Sequence, residues 1–390
     1  MKLRGMQHAS LDNKAVDGLI CALLRGESPP WPEPGGAGRV DAFLRRSDYH
    51  GVSALLNEQL YRLESWPESL RQAIHDRAIA RAAWELRHQQ LLTRVHAALA
   101  DIGVQPVLLK GTALAYALYP DPMLRARGDT DIIIPSTERR RVHDVLTTLG
   151  FALDMGVSGE FISYQASYTF SQADTGTHSI DLHWKINNSE LLSRLFSFDE
   201  LLQRAIPLSK LCPEALGVSP VHALLLACMH RATHKHNPYY VDGVAYYSAD
   251  RLIWLYDVHL LTKSLSLTQW GEVVPLARDK GLCATCLDGM ERSGTCFQAG
   301  YPECVLAALA ASGAKERPAT YLNAGKLRQR WEDFRALEGF SSQLRFLQEL
   351  FFPPEAYMST KYAQAERGWL PMLYVCRALG GLVKRLKTHQ

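Results

Sequence analysis

Val104-Gln105-Pro106-Val107-Leu108-Leu109-Lys110-Gly111-Thr112, followed downstream by Asp129-Thr130-Asp131-Ile132-Ile133-Ile134, is the stretch that decides the fold. The first run is short and apolar, and a glycine turn leads from it into Ala113 to Tyr119; strand, tight turn and helix are expected in that order. Beyond the Pro120-Asp121-Pro122 break a second strand starts at Asp129, and a helix over 137–149 carries Arg139-Arg140-Arg141. Further strands are expected at 151–153, 163–170 and 178–184. The middle of the chain therefore reads as an α/β unit.

The flanks have a different texture. From Leu11 to Ala100 the pattern is helical, interrupted by the Pro/Gly-rich loop from Pro29 to Gly36. Ile74, Ile79, Leu86, Leu91, Val95 and Leu99 fit the inner face of one long helix. Helical periodicity returns at Leu191 and persists to Leu386, with loops near Pro213, Pro238 to Gly243, Gly313 to Pro318 and Pro353-Pro354. The expected organisation is a helical region over 1–100, an α/β core over 101–190 and a second helical region over 191–390. No internal repeat is evident, which excludes a solenoid.

Composition narrows the classes. With 47% hydrophobic and 21% charged residues among 390, the chain has the means to build a core and lacks the signature of disorder. Lys+Arg 43 against Asp+Glu 40 leaves +3, too little for a broad basic field aimed at nucleic acid. The longest apolar runs, Ala223 to Met229 and Leu370 to Cys376, fall far short of the ~20 residues of a membrane span. Met1 to Asn13 has no apolar segment behind a basic start, so a cytoplasmic protein is expected. Eight cysteines in so long a chain read as reduced thiols. Cys283, Cys286, Cys296 and Cys304 invite a zinc-stabilised adaptor as one alternative, but the second pair is too widely spaced for a ribbon or finger.

The chemistry concentrates in the middle. Asp129 and Asp131 are two apart on a strand, so both face one way. Paired carboxylates repel unless a cation lies between them, and hard divalent ions take carboxylate and phosphate oxygens together. Asp181, in Ser179-Ile180-Asp181-Leu182-His183-Trp184, supplies a third acid from an expected neighbouring strand. Three acids at a sheet end suit in-line phosphoryl or nucleotidyl transfer. Upstream, Lys110-Gly111-Thr112 offers a cation, free backbone N–H groups and a hydroxyl to phosphate at a helix start. Arg125 and Arg127 either clamp a triphosphate or form an ion-pair cluster with the aspartates.

These residues carry a resemblance. The order Leu-Lys-Gly-Thr, helix, Tyr119-Pro120-Asp121-Pro122-x-Leu124-Arg125-x-x-x-Asp129-x-Asp131-Ile132, then Ile180-Asp181-Leu182-His183-Trp184, resembles the poorly characterised nucleotidyltransferases of the DNA polymerase β-like superfamily. The resemblance extends to Cys228-Met229-His230 with Arg251 to Asp257, and to Leu350 through Arg377. It implies an α+β fold, the superfamily's mixed sheet flanked by N-terminal and C-terminal helical regions. It makes Lys110, Gly111, Thr112, Arg125 and Arg127 nucleotide contacts. Asp129, Asp131 and Asp181 become the catalytic acids and the ligands of Mg²⁺ or Mn²⁺. His183 shares the face of Asp181 and is expected to support it. The implied reaction moves an NMP from an NTP to an acceptor oxygen on a small molecule, peptide or protein, in preference to a long nucleic acid, and releases pyrophosphate. The rival is a non-catalytic nucleotide-binding or interaction scaffold of the same fold.

Other polar residues read as structural. His222, His230, His234 and His236 gather on and after a helix; His230 and His234 are an i, i+4 pair, but no glutamate between them makes a zinc-protease motif. Asp257 is expected to pair with Arg251 or with the His230 region. The basic end, Arg377 to Lys387, reads as a solvated helix face.

Overall fold

A computed structural model describes residues 9–32, 37–154, 164–172, 176–235, 239–241, 244–246, 250–312, 316–352, 355, 358, 373 and 374. Cys376, His236, Pro353-Pro354 and the basic end lie outside the described residues, as does part of the Pro29 to Gly36 loop.

The chain opens with helices α1 (Ala9–Leu24), α2 (Ala37–His50), α3 (Ser53–Asn57) and α4 (Glu68–Asp101). Strand β1 (Val107–Leu108) leads into α5 (Lys110–Leu118), and β2 (Asp129–Ile133) into α6 (Arg139–Thr148). Next come β3 (Ala152–Leu153), β4 (Gln165–Gln172), β5 (Gly176–His183), α7 (Glu190–Ser193) and α8 (Phe198–Gln203). Strands β6 (Ile206–Pro207) and β7 (Leu216–Gly217) precede α9 (Pro220–His234) and the ribbon of β8 (Tyr239–Val241) and β9 (Val244–Tyr246). The further described elements are helices: α10 (Leu252–Ser264), α11 (Leu267–Lys280), α12 (Cys283–Phe297), α13 (Glu303–Ser312), α14 (Arg317–Leu322), α15 (Lys326–Ala336) and α16 (Phe340–Phe351).

The seven-stranded sheet has the order β3-β4-β5-β2-β1-β7-β6. It is mixed: β2 runs parallel to β5 and antiparallel to β1, while β1 runs parallel to β7. This is the expected α+β fold with a mixed sheet and flanking helices. One detail differs. Residues 206–207 and 216–217, read as part of a helical stretch with a loop near Pro213, form β6 and β7 and extend the sheet beyond β1. Two-residue strands carry too short an alternation for periodicity to register.

Two apolar clusters hold the elements in place. One joins the sheet to α5, α6, α9 and the α11 to α13 helices; the other packs α1 to α3 against Tyr119, Leu124 and α10. Helix α4, one continuous helix of 34 residues, belongs to both, with Leu70 and Ile74 in the second and Leu91, Leu92, Val95 and Leu99 in the first. Its inner face departs from the expected one. Ile79 and Leu86 are 54% and 59% exposed, and the buried positions between the two clusters are Ala78, Glu85 and His88. The mid-helix stripe is polar because it faces polar groups of the central unit, so an apolar count placed it on the wrong side.

This packing gives a direct contrast on one helix. Leu92→Ala should cost about 2–5 kcal/mol, the range for deleting a fully buried leucine side chain. Leu86→Ala should stay within about 0.5 kcal/mol, as exposed sites do. Urea unfolding of both variants checks it, and equal losses would contradict the packing described.

Candidate active site

The parallel register between β2 and β5 builds the site. Asp131 pairs with Asp181, Asp129 with Ser179 and Ile133 with His183, so Asp129, Asp131, Asp181 and His183 share one face of the sheet. Asp131, Asp181 and His183 each bring a ligand atom to within 4.8 Å of the others. Asp129, at the start of β2, lines the same cleft but stands outside that set.

Each member is held. Asp131 Oδ1 accepts hydrogen bonds from Lys110 Nζ at 2.5 Å and from His183 Nε2 at 2.8 Å. Asp181 accepts from Ser167 Oγ at 2.6 Å and from Gln165 Nε2 at 3.1 Å, both on β4. Lys110 opens α5 with φ +48°, a left-handed conformation that residues with side chains seldom adopt. The first intrahelical bond runs from Ala113 N to Leu109 O at 3.4 Å, so the N–H groups of Lys110, Gly111 and Thr112 are those a helix start leaves for a ligand.

Electrostatics separates the acids. Burial alone would raise Asp131, but the Lys110 ammonium and the His183 imidazole outweigh it and hold its carboxyl well below the usual range. Asp129 moves the other way: desolvation in the crowded cleft, then the charges on Asp131 and Asp181, push it up to about 6. The Lys110 ammonium is raised; burial opposes this, and the attraction of Asp131 overcomes it.

The acids stand in an open cleft of about 480 Å³. Its other wall comes from α9 and α10 and includes His230, His234, Arg251 and Trp254. The rings of His230 and His234 lie 4.6 Å apart, and His230 meets Trp254 edge-on at 5.3 Å. Desolvation, reinforced by Lys110, lowers His234 to about 4 and, together with His234, depresses His230 further, so both imidazoles are neutral at pH 7.

The two arginines read from the sequence line the cleft but are engaged from behind. Arg125 forks onto Asp257, Nε to Oδ1 at 2.9 Å and Nη2 to Oδ2 at 2.6 Å, and Tyr119 Oη donates to the same carboxylate at 2.8 Å. Asp257 therefore pairs with Arg125 and Tyr119 rather than with Arg251 or the His230 region; Arg251 Nε donates to Tyr49 O. Gly111 is needed here, since a Cβ would come within 3.3 Å of Arg125 Nη1. Arg127 Nη2 donates to Glu85 on α4 at 2.6 Å, and Glu85 also accepts from Tyr116 and Arg81. Thr112 is buried and does not line the cleft. Its hydroxyl meets Thr130 Oγ1 at 2.9 Å on the opposite face of β2, and Thr130 in turn meets His88 Nε2 at 2.7 Å.

The sequence reading missed Glu85, His88 and Trp254, and it did not place His230 and His234 on the cleft wall. Only the polar interruptions of the α4 stripe and the i, i+4 histidine pair signalled any of them. His222 lies elsewhere, beside Ser219 and Glu200. The four-cysteine zinc site does not form. Cys296 sits ten residues past Cys286 on α12, about 15 Å along the helix axis. Cys286 instead meets Cys228, Cys296 meets Cys21, and Cys304 is exposed. Among the described residues, Asp131, Asp181 and His183 are the group arranged to hold a metal.

Residues 37–298 match the model of a family described as uncharacterised nucleotidyltransferase, and the chain belongs to that family. No curated protein matches the chain. Among the described residues no helix is long and apolar enough to cross a membrane.

Asp257→Ala leaves the Arg125 guanidinium buried without its partner and should cost about 3–5 kcal/mol in urea unfolding, the range for breaking a buried pair from one side. The pH test concerns Asp129. Its folded value near 6 lies above the ordinary 3.8, so the folded state keeps the proton longer. Stability contributed at low pH is then lost as pH rises from about 4 through 6. Metal-free Asp129→Asn should lack that loss and unfold at higher urea than wild type at pH 7, with the gap closing at pH 4. A gap that widens toward acid would contradict the assignment.

Proposed function

We propose that this member of the nucleotidyltransferase family is a metal-dependent enzyme that moves an NMP from an NTP to an acceptor oxygen, with pyrophosphate leaving. The observation that carries the reading is the convergence of Asp131, Asp181 and His183 within 4.8 Å, beside the Lys110 ammonium and the open N-terminus of α5.

The donor chemistry fits a divalent cation such as Mg²⁺ or Mn²⁺: the carboxylate oxygens of Asp131 and Asp181 suit both ions, and His183 orients Asp131 through its Nε2. When bound, that ion neutralises charge developing on the transferring phosphoryl group. The chain supplies the rest. Lys110 and the N–H groups of Gly111 and Thr112 bind triphosphate oxygens, and Arg125 and Arg127 shape the loop that carries the acids. Asp129 and Asp131 face the phosphate. Asp181, fixed by Ser167 and Gln165, aligns the acceptor hydroxyl. The bond from Pα to the acceptor oxygen forms, the Pα–O bond to pyrophosphate breaks, and the acceptor's proton passes to a carboxylate of the site. The cleft is open to solvent, which gives an acceptor a way in, and we read the acceptor as a small molecule, peptide or protein side chain in the cytoplasm, where NTP and Mg²⁺ are at hand.

The test is incubation of the purified chain with each α-³²P-labelled NTP and Mg²⁺ or Mn²⁺, with and without lysate of its source cell. Wild type should transfer label, and Asp131→Asn, with an unchanged circular dichroism spectrum, should lose it by about 10²–10³-fold or more, the scale of removing one preorganised electrostatic group. A fully active Asp131→Asn would overturn the mechanism. No transfer together with no metal-dependent NTP binding would leave a non-catalytic scaffold.

A further inference from the structure

We infer that Lys110 is the resident cation of the acidic site in the absence of a divalent ion, and that its ammonium must leave Asp131 before a metal can bind. The inference rests on the reading of this site as a metal-dependent nucleotidyl-transfer centre and adds a coupling between metal and nucleotide to it.

Three observations support it. Lys110 Nζ lies 2.5 Å from Asp131 Oδ1, and the same oxygen accepts from His183, so one of the two carboxylate oxygens at the centre of the site already holds two donors and the carboxylate's charge is answered by the ammonium. A Mg²⁺ ion bonds carboxylate oxygen at about 2.0–2.1 Å, and an ammonium on the same carboxylate opposes it by both size and charge. The backbone is committed to this arrangement, because Lys110 takes φ +48° at the first position of α5. Finally, the side chain has somewhere to go. It is about a quarter exposed, and it lines the main cleft, a space of about 480 Å³ where a triphosphate would lie.

The consequence is positive coupling. A metal arriving alone competes with Lys110. A nucleotide gives the ammonium a second anion, the triphosphate, and frees Asp131 for the ion. Metal alone is then held weakly, which keeps the acids from trapping an ion that has no substrate.

The test uses Mn²⁺ alone, titrated into the full chain without nucleotide and followed by the electron paramagnetic resonance of the free ion. Lys110→Met should bind Mn²⁺ about tenfold more tightly than wild type, within the usual range of coupling between sites. Lys110→Arg, which keeps the cation, should bind no more tightly than wild type. Because three acids without their cation strain the fold, thermal melts form the second readout, and Mn²⁺ should raise the melting temperature of Lys110→Met more than that of wild type. Equal or weaker binding by Lys110→Met, or a variant that fails to fold and is not restored by Mn²⁺, would overturn the inference. Failure of the underlying reading looks different: Asp131→Asn would then bind Mn²⁺ as tightly as wild type.

Discussion

Two aspartates held side by side in register on parallel strands repel each other, and the surrounding structure is organised to tolerate that repulsion. Asp131 and Asp181 cannot separate, because the pairing that aligns them also aligns Ile132 with Leu182 in the core beneath. The charge is answered locally by Lys110, His183, Ser167 and Gln165, each from a different position around the pair. What remains unanswered appears on Asp129, whose proton is held to about pH 6. A cluster with that residual negative charge, open to a cleft, is a place for a cation and the anion it brings.

The helical parts serve this centre through buried ion pairs. Asp257 on α10 anchors Arg125, and Glu85 on α4 anchors Arg127, so the loop preceding β2 is fixed from both sides. Both pairs are almost fully buried, where the loss of one partner is costly and the geometry of the other is strictly set. The arginines thus act on the acids by positioning the strand that bears them. Helices α9 and α10 also provide the second wall of the cleft, with two neutral imidazoles and a tryptophan where an uncharged part of a substrate can rest.

Much of this was legible in the residues. Strand, glycine turn and helix at 107–118, the Asp-x-Asp strand and the Asp181 strand carry local signals strong enough to place them, and alternation alone put Asp129 with Asp131 and Asp181 with His183. The register that sets Asp131 opposite Asp181 was not legible, because it depends on which strands become neighbours. The partners of Arg125 and Arg127 were hidden for a similar reason: they come from 132 and 42 residues away. Ile79 and Leu86 misled because an apolar stripe was assumed to continue where the helix buries Glu85 and His88. Thr112 looked like a phosphate ligand by its place after the glycine, yet the turn of α5 points its hydroxyl to the other face of β2.

The most direct test of the central claim is a crystal grown with Mn²⁺ and an α,β-methylene NTP, with the ion located by its anomalous scattering. The expected result is an ion bound by Asp131 and Asp181, with the triphosphate over the N-terminus of α5. An ion and nucleotide bound elsewhere, with Lys110 still on Asp131, would contradict it.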